Sequence, residues 1–282
     1  MRIRINGADA DIQLEAEKTV GEILSALEAW LDGTGLRLSG LGIDGEAVTA
    51  DLVGVCIGRN IDTIDTLDIY TSSVTELFAE CLFYVLEAID AYNAADFEGK
   101  CSIAAFWSDS PSAKMLAEQS PGLFDWVTKT FSGEGASPQA LRSVVEERLR
   151  ELREPASELD KTSAIVADIC ARLEQLPLDI QTGKDAKAAD TVSVFSGIAE
   201  KVFRIYGILE NSGFAVREIK IGDLPIADYM AEFYSALRDL LGAYEQQDSV
   251  LVGDIAEYEM APRLRCLHAA VLHAVKEHAY DR

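Results

Sequence analysis

Cationic residues are scarce in this chain: 25 Lys and Arg stand against 48 Asp and Glu over 282 residues, a formal charge of −23. Phosphate backbones are gripped by clustered Lys and Arg, so no nucleic-acid partner is expected. Histidine is scarcer still, with His268, His273 and His278 all in the C-terminal segment. A spacing of five turns a helix about 140° past a full turn, so these three do not share a face as the i,i+4 pair of a zinc helix does. Surface positions, or contacts with the C-terminal end of a helix dipole, are the roles expected of them. No Glu-x-x-His pair occurs, which removes the di-iron bundle pattern. Cys56, Cys81, Cys101, Cys170 and Cys266 are odd in number and lack C-x-x-C spacing. Neither a disulfide framework nor a zinc knuckle is indicated, and buried reduced thiols are expected.

Long apolar runs are also missing. None reaches the roughly 18 residues of a bilayer span, so membrane insertion is not expected. Met1-Arg2-Ile3-Arg4-Ile5-Asn6-Gly7 contains no apolar h-region of a signal peptide, which points to a cytoplasmic protein. Gly183-Lys184 lacks the upstream glycine and the following Ser or Thr of a phosphate loop, and no nucleophile elbow or dinucleotide fingerprint follows a strand. Carboxylates are so numerous that a chance acid–base pair carries little information. No cofactor, no metal and no catalytic residue is expected.

What the chain does have is apolar content, 49% of its residues, enough for a large core. At about 150 residues per domain its length implies two. Period-two patterning governs the first seventy residues. Arg2 to Asn6 reads as a strand with Ile3 and Ile5 on one face, Asn6-Gly7 supplies a tight turn, and Ile12 and Leu14 continue the alternation. Thr19 with Glu22 forms a capping box before Val20, Ile23, Leu24, Leu27 and Leu31 at helical spacing. Leu38, Leu41 and Ile43 lead into Asp44-Gly45 and Val48 as a hairpin or meander, and Leu67 and Ile69 mark a last strand facing one way. Asp62, Asp65 and Asp68 lack the spacing of an EF-hand loop and read as turn and solvent-face residues.

That order resembles the β-grasp, or ubiquitin-like, fold, in which a mixed sheet curls around one helix, over about residues 1–72. Members of that family serve as modifiers, sulfur carriers and docking modules. Modifiers and sulfur carriers end in a free Gly-Gly, whereas here Asp68-Ile69-Tyr70-Thr71-Ser72-Ser73 runs straight into a helix. The resemblance therefore implies a docking or structural role.

From Val74 onward the period becomes helical. Val74, Leu77, Phe78, Cys81, Leu82, Val85, Ile89 and Tyr92 form one stripe. Residues 99–135 predict short helices and turns, with Ser110-Pro111 and Ser120-Pro121 as starts and a linker at 132–136. Glu146 to Arg153 is a mixed-charge run suited to a solvated face. Pro155 breaks that helix, Asp223-Leu224-Pro225 opens another, and Asp248 caps the last, which is kinked near Pro262. Short connections between long helices imply antiparallel neighbours. The expected fold is α+β: a ubiquitin-like β-grasp domain at 1–72 and an antiparallel α-helical bundle at 73–282.

Two local runs are candidate partner-binding sites. Glu257, Tyr258 and Glu259 precede Pro262 and Arg263, an acidic-then-basic segment that either recognises a partner or supplies local ion pairs around the proline. Phe106-Trp107 and Phe124-Asp125-Trp126 place aromatics in an irregular middle, where they either line a groove or cover the end of the bundle. Trp107, Phe124, Trp126, Glu257, Tyr258, Glu259 and Arg263 are thus the candidate site residues. The expected function is a non-catalytic interaction protein, an adaptor, scaffold or export-type chaperone, binding a partner protein such as a basic or amphipathic helix. In charge, size and helicity the helical part is similar to bacterial flagellar and type III export chaperones, which hold a client segment by helix-in-groove packing. No motif residue carries that similarity. The alternative is an enzyme or small-ligand binder with an interdomain pocket reached by Tyr206, Tyr234 or Tyr258. Self-association as a homo-oligomer through an exposed helix face is the third expectation.

Overall fold

A computed structural model describes the chain except Gln13, Glu15, Ala136, Gly213, Asp281 and Arg282, with backbone alone at residues 50, 51 and 278–280. The chain divides into two compact units, Met1–Glu146 and Glu147–Arg282.

The first unit opens with a mixed sheet. Arg2–Ile5 (β1) and Ala8–Asp9 (β2) pair antiparallel across Asn6 (φ 49°) and Gly7 (φ 81°), the two left-handed residues that a tight hairpin turn demands. Val20–Leu31 (α1) starts at the expected capping box: the Thr19 hydroxyl accepts from the Glu22 N–H, and the Glu22 carboxylate accepts from the N–H groups of Lys18 and Thr19. Leu36–Ile43 (β3) turns through Asp44 (φ 53°) and Gly45 (φ 85°) into Glu46–Ala47 (β4). A short helix, Ala50–Cys56 (α2), precedes Thr66–Ser73 (β5). The sheet order is β2-β1-β5-β3-β4, with β1 and β5 parallel and the other neighbours antiparallel. Val20, Ile23, Leu27 and Leu31 of α1 pack with Ile3, Leu41, Ile43, Leu67 and Ile69 of the sheet in one apolar cluster.

Asp68 corrects the solvent-face expectation. It lies buried on β5, in register with Arg4 of β1, whose Nη1 sits 3.3 Å from Asp68 Oδ1. Asp62 and Asp65 are exposed.

No break separates the sheet from the helices that follow. Ser73, the last residue of β5, caps Val74–Ala94 (α3) in a second capping box with Glu76. Phe97–Asp109 (α4), Pro111–Gln119 (α5) and Pro121–Phe131 (α6) come next. The region predicted as short helices and turns is therefore largely helical, and the candidate aromatics stand on helices rather than in an irregular middle. Both proline starts fall at first-turn positions, as the missing N–H allows. The predicted linker is a turn at residues 132–135, and its Ala136 lies outside the described residues.

Pro138–Arg153 (α7) carries the division between the units. Pro155 stops it and begins Pro155–Lys161 (α8), followed by Ser163–Glu174 (α9), Leu176–Gln181 (α10) and Asp185–Asn211 (α11). A two-residue hairpin, Lys220–Ile221 (β6) with Leu224–Pro225 (β7), occupies the expected helix start, so Ile226–Glu245 (α12) begins just after Pro225. Ser249–Ile255 (α13) is capped by the Asp248 carboxylate, which accepts from the Leu251 N–H. Ala256–Met260 is a π-helical turn, and Ala261–Tyr280 (α14) completes the unit. A proline ring clashes with the carbonyl four residues back. The wider turn ahead of Pro262 relieves this, with the Ala261 N–H reaching back five residues to Ala256 O. The core joins Ile169 and Leu173 of α9, Phe195 and Val202 of α11, Phe233 and Leu240 of α12, and Leu267 and Val271 of α14.

Candidate functional site

On α3 the residues Cys81, Leu82, Val85, Ile89 and Tyr92 are buried. Tyr84, Ala88 and Ala91 extend the apolar arc along a flank of the same helix, with Glu87 beside them. Facing them are Ile103, Phe106 and Trp107 of α4, and the α4–α5 turn at Ser110 to Ser112 closes one end. Together these residues line an open groove of about 700 Å³. Its walls are solvent-facing aromatics, Tyr84 at 61% and Phe106 at 77% exposure.

Trp107 is buried at the base. Its indole Nε1 donates to Thr128 Oγ1 at 3.0 Å, and its ring meets Phe131 edge-on at 5.8 Å and Phe124 at 6.3 Å. The closing turn is equally constrained. Ser110 Oγ donates to Trp107 O and accepts from the Ala113 N–H, while the Cys81 thiol donates to Ser112 O at 3.3 Å. Burial pushes that thiol up to about 11, so it remains a protonated donor. From Val74 to Gln119 the chain carries eight carboxylates and two lysines, and one of the two, Lys100, lies 5.2 Å from the centre of the Tyr92 ring.

Of the candidate aromatics, Trp107 forms the groove base, Phe124 packs against it half-buried, and Trp126 is half-buried on α6 away from the groove lining. The other candidates belong to the second unit. Arg263 donates from Nε to Glu259 at 2.9 Å and from Nη1 to Glu232 of α12 at 3.1 Å, so it carries the local ion pairs around Pro262. Tyr258 is exposed, and the neighbouring Glu257 carboxylate raises its phenol. Among the three tyrosines of the pocket alternative, Tyr206 is buried and Tyr234 stacks on Phe203 at 4.8 Å.

Sequence reasoning missed a buried ionic cluster. Glu151, read as part of a solvated run, is 1% exposed. Its carboxylate accepts from Arg148 and Arg204, and Lys201 lies 3.8 Å away. The same lysine donates to Glu147 at 2.6 Å and to Glu158 at 3.3 Å, and Lys161 donates to Glu158 at 2.8 Å. Burial pushes Glu151 up to about 7, with Arg148 and Lys201 opposing. The one available signal was Lys201 and Arg204, two cations three residues apart among the apolar residues Ala199, Val202, Phe203, Ile205 and Tyr206 of α11. Histidine needs a second correction: His268 is not at the surface but buried, with Nε2 3.0 Å from Thr162 Oγ1 and 3.1 Å from Leu159 O. The thiols need a third, since Cys101 and Cys266 are exposed. Among the described residues no group of three or more His, Cys, Asp or Glu could hold a metal ion, and no helix is long and apolar enough to cross a membrane.

Comparison with known proteins adds similarity without a function. Residues 1–73 match the family described as TP0873 N-terminal domain, a span that ends at the last residue of β5. Residues 158–270 match a domain of unknown function, DUF8042, within the second unit. An uncharacterized protein of Treponema pallidum (strain Nichols) is 24% identical over 273 residues, 97% of each chain. No solved structure matches.

Proposed function

We propose that this chain is a non-catalytic protein-binding protein, an adaptor, scaffold or export-type chaperone, that takes a partner protein on its acidic helical surface. The observation that carries this reading is the concentration of solvent-facing apolar side chains on strongly acidic helices. Large exposed apolar patches rimmed by charge mark interaction sites in proteins that are otherwise soluble. We further propose that the N-terminal sheet is a β-grasp module: two tight hairpins, a parallel pairing of first and last strands, and one helix packed on the sheet support it. Five free cysteines, two of them exposed, fit a reducing compartment such as the cytoplasm.

The test is co-purification of the full chain from its native cells at low and moderate salt, followed by reconstitution from purified components. Specific retention of one protein that rebinds in purified form, with affinity falling as salt rises, supports the reading. Retention of a small metabolite by native mass spectrometry, with no protein partner, overturns it.

A further inference from the structure

We infer that the groove between α3 and α4 seats one basic amphipathic helix of a partner protein, engaged over about two turns. This rests on the protein-binding reading above and names the occupant that the groove chemistry selects. Length comes first. The α3 wall runs from Tyr84 to Ala91, seven residue-to-residue steps of about 1.5 Å, so it spans about 10 Å, or two turns of a helix.

Shape comes second. Ala88 and Ala91 are the small residues along the α3 side and leave room for bulky side chains, Trp107 closes the base, and Tyr84 and Phe106 stand up as walls. An extended peptide needs a rail of free backbone N–H and C=O groups, as an open sheet edge provides. Here both long walls are helices, whose mid-helix backbone groups are already paired. A helical occupant satisfies its own backbone and presents only an apolar stripe at i, i+3 or i+4, and i+7.

Charge comes third. Glu87 sits on the groove lining, and the stretch from Val74 to Gln119 that forms the three helices around it holds eight carboxylates to two lysines. Lysine or arginine on the flanks of an apolar stripe complements that field and speeds encounter. A second copy of this chain brings a further charge of −23 and is repelled.

The experiment uses the full chain and two labelled helical peptides of about 18 residues, identical in a Leu/Phe stripe, one with Lys and one with Glu on its flanks. Fluorescence anisotropy is expected to show salt-sensitive binding of the Lys peptide and binding of the Glu peptide weaker by about tenfold or more. Phe106→Ser removes an exposed wall and Ala88→Trp fills the space along the α3 side; each is expected to weaken the Lys peptide by about tenfold or more. Leu241→Ser, on the exposed surface of α12, is expected to leave it unchanged. Circular dichroism confirms that the variants fold, and Phe106→Ser alters only an exposed side chain. Equal affinity for both peptides, or equal binding by all variants, overturns the inference. So does a dimer that Phe106→Ser converts to monomer, which would make a second copy the occupant. If the reconstituted partner binds Phe106→Ser as tightly as the parent chain, the groove assignment fails while the protein-binding reading stands. If the parent chain retains no protein and binds neither peptide, both fail.

Discussion

Arg204 holds Glu151 at two points, its Nε and Nη2 each donating across 3.2 Å to separate oxygens of the carboxylate. A two-point fork of this kind sets angle as well as distance, so it ties α7 to α11 in one register. Buried charges are expensive to desolvate, and a network that satisfies them contributes more to fixing an arrangement than to net stability. The cluster acts as a lock between helices: removing one partner strands a buried charge and is costly, whereas well-packed apolar replacement of a whole buried ionic set is often neutral.

The first prediction concerns the pH dependence of that lock. The folded chain holds the Glu151 proton up to about pH 7, whereas the ordinary glutamate value of 4.5 stands for the unfolded chain. Between those values the folded state binds a proton that the unfolded state has released, so this group's contribution falls as pH rises from 4.5 to 7 and is level above. The full span is about 3 kcal/mol at the upper bound. Glu151→Gln is expected to flatten the difference in urea midpoint across that window. An identical pH slope in the variant and the parent would remove burial of Glu151 as its cause.

Lys201 is the shared cation, reaching Glu147, Glu158 and Glu151 at 2.6, 3.3 and 3.8 Å. Lys201→Met keeps the stem and deletes the charge, leaving the buried Glu158 and Glu151 each one cation short. A loss of about 3 kcal/mol is expected. Lys201→Met combined with Glu158→Gln should lose less than the sum of the two single changes, a coupling that a double-mutant cycle in urea would detect.

The contrast between what was readable and what was hidden runs along these same residues. Asn6-Gly7, Asp44-Gly45, Thr19 with Glu22, and Pro155 act on their own neighbours, and each sits in the structure where its local chemistry put it. Glu151, Asp68 and His268 are buried by partners 53, 64 and 106 residues away: Arg204, Arg4 and Thr162. No local pattern reports such a partner, and a mixed-charge run looks the same whether water or Arg204 faces it. The groove was half legible: the aromatic pair Phe106-Trp107 drew notice, but its opposite wall on α3 merges with the core stripe, because burial divides one broad apolar arc only after packing.

Trp107 supports the groove from beneath, so its substitution should be felt in stability. Trp107→Phe removes the Nε1 donor to Thr128 and is expected to cost about 1 kcal/mol. Trp107→Ala also opens a cavity under the Phe131 and Phe124 rings and should cost about 3 kcal/mol or more. Thermal unfolding followed by far-UV dichroism orders the two. Equal midpoints for both variants would mean that the ring, not the hydrogen bond, is dispensable, against the packing described.

His268 supplies a pH dependence of opposite sign. Burial lowers its imidazole below the usual 6.5, with the Leu159 carbonyl resisting. The folded chain therefore keeps the ring neutral where the unfolded chain takes up a proton, so stability from this group is full above pH 6.5 and is lost as pH falls below it. His268→Gln retains an N–H that can reach Leu159 O but cannot titrate. Relative to that variant, the parent chain should lose stability on acidification from pH 6.5. Glu151 stabilises the fold on acidification over an overlapping range, so the two effects partly cancel in the parent chain and neither is visible in its stability profile alone. Urea midpoints for the parent, both single variants and the double variant separate them: Glu151→Gln should steepen the acid loss, His268→Gln should abolish it, and the double variant should be flattest. A His268→Gln profile that follows the parent's below pH 6.5 would show that the imidazole is protonated in place despite its burial.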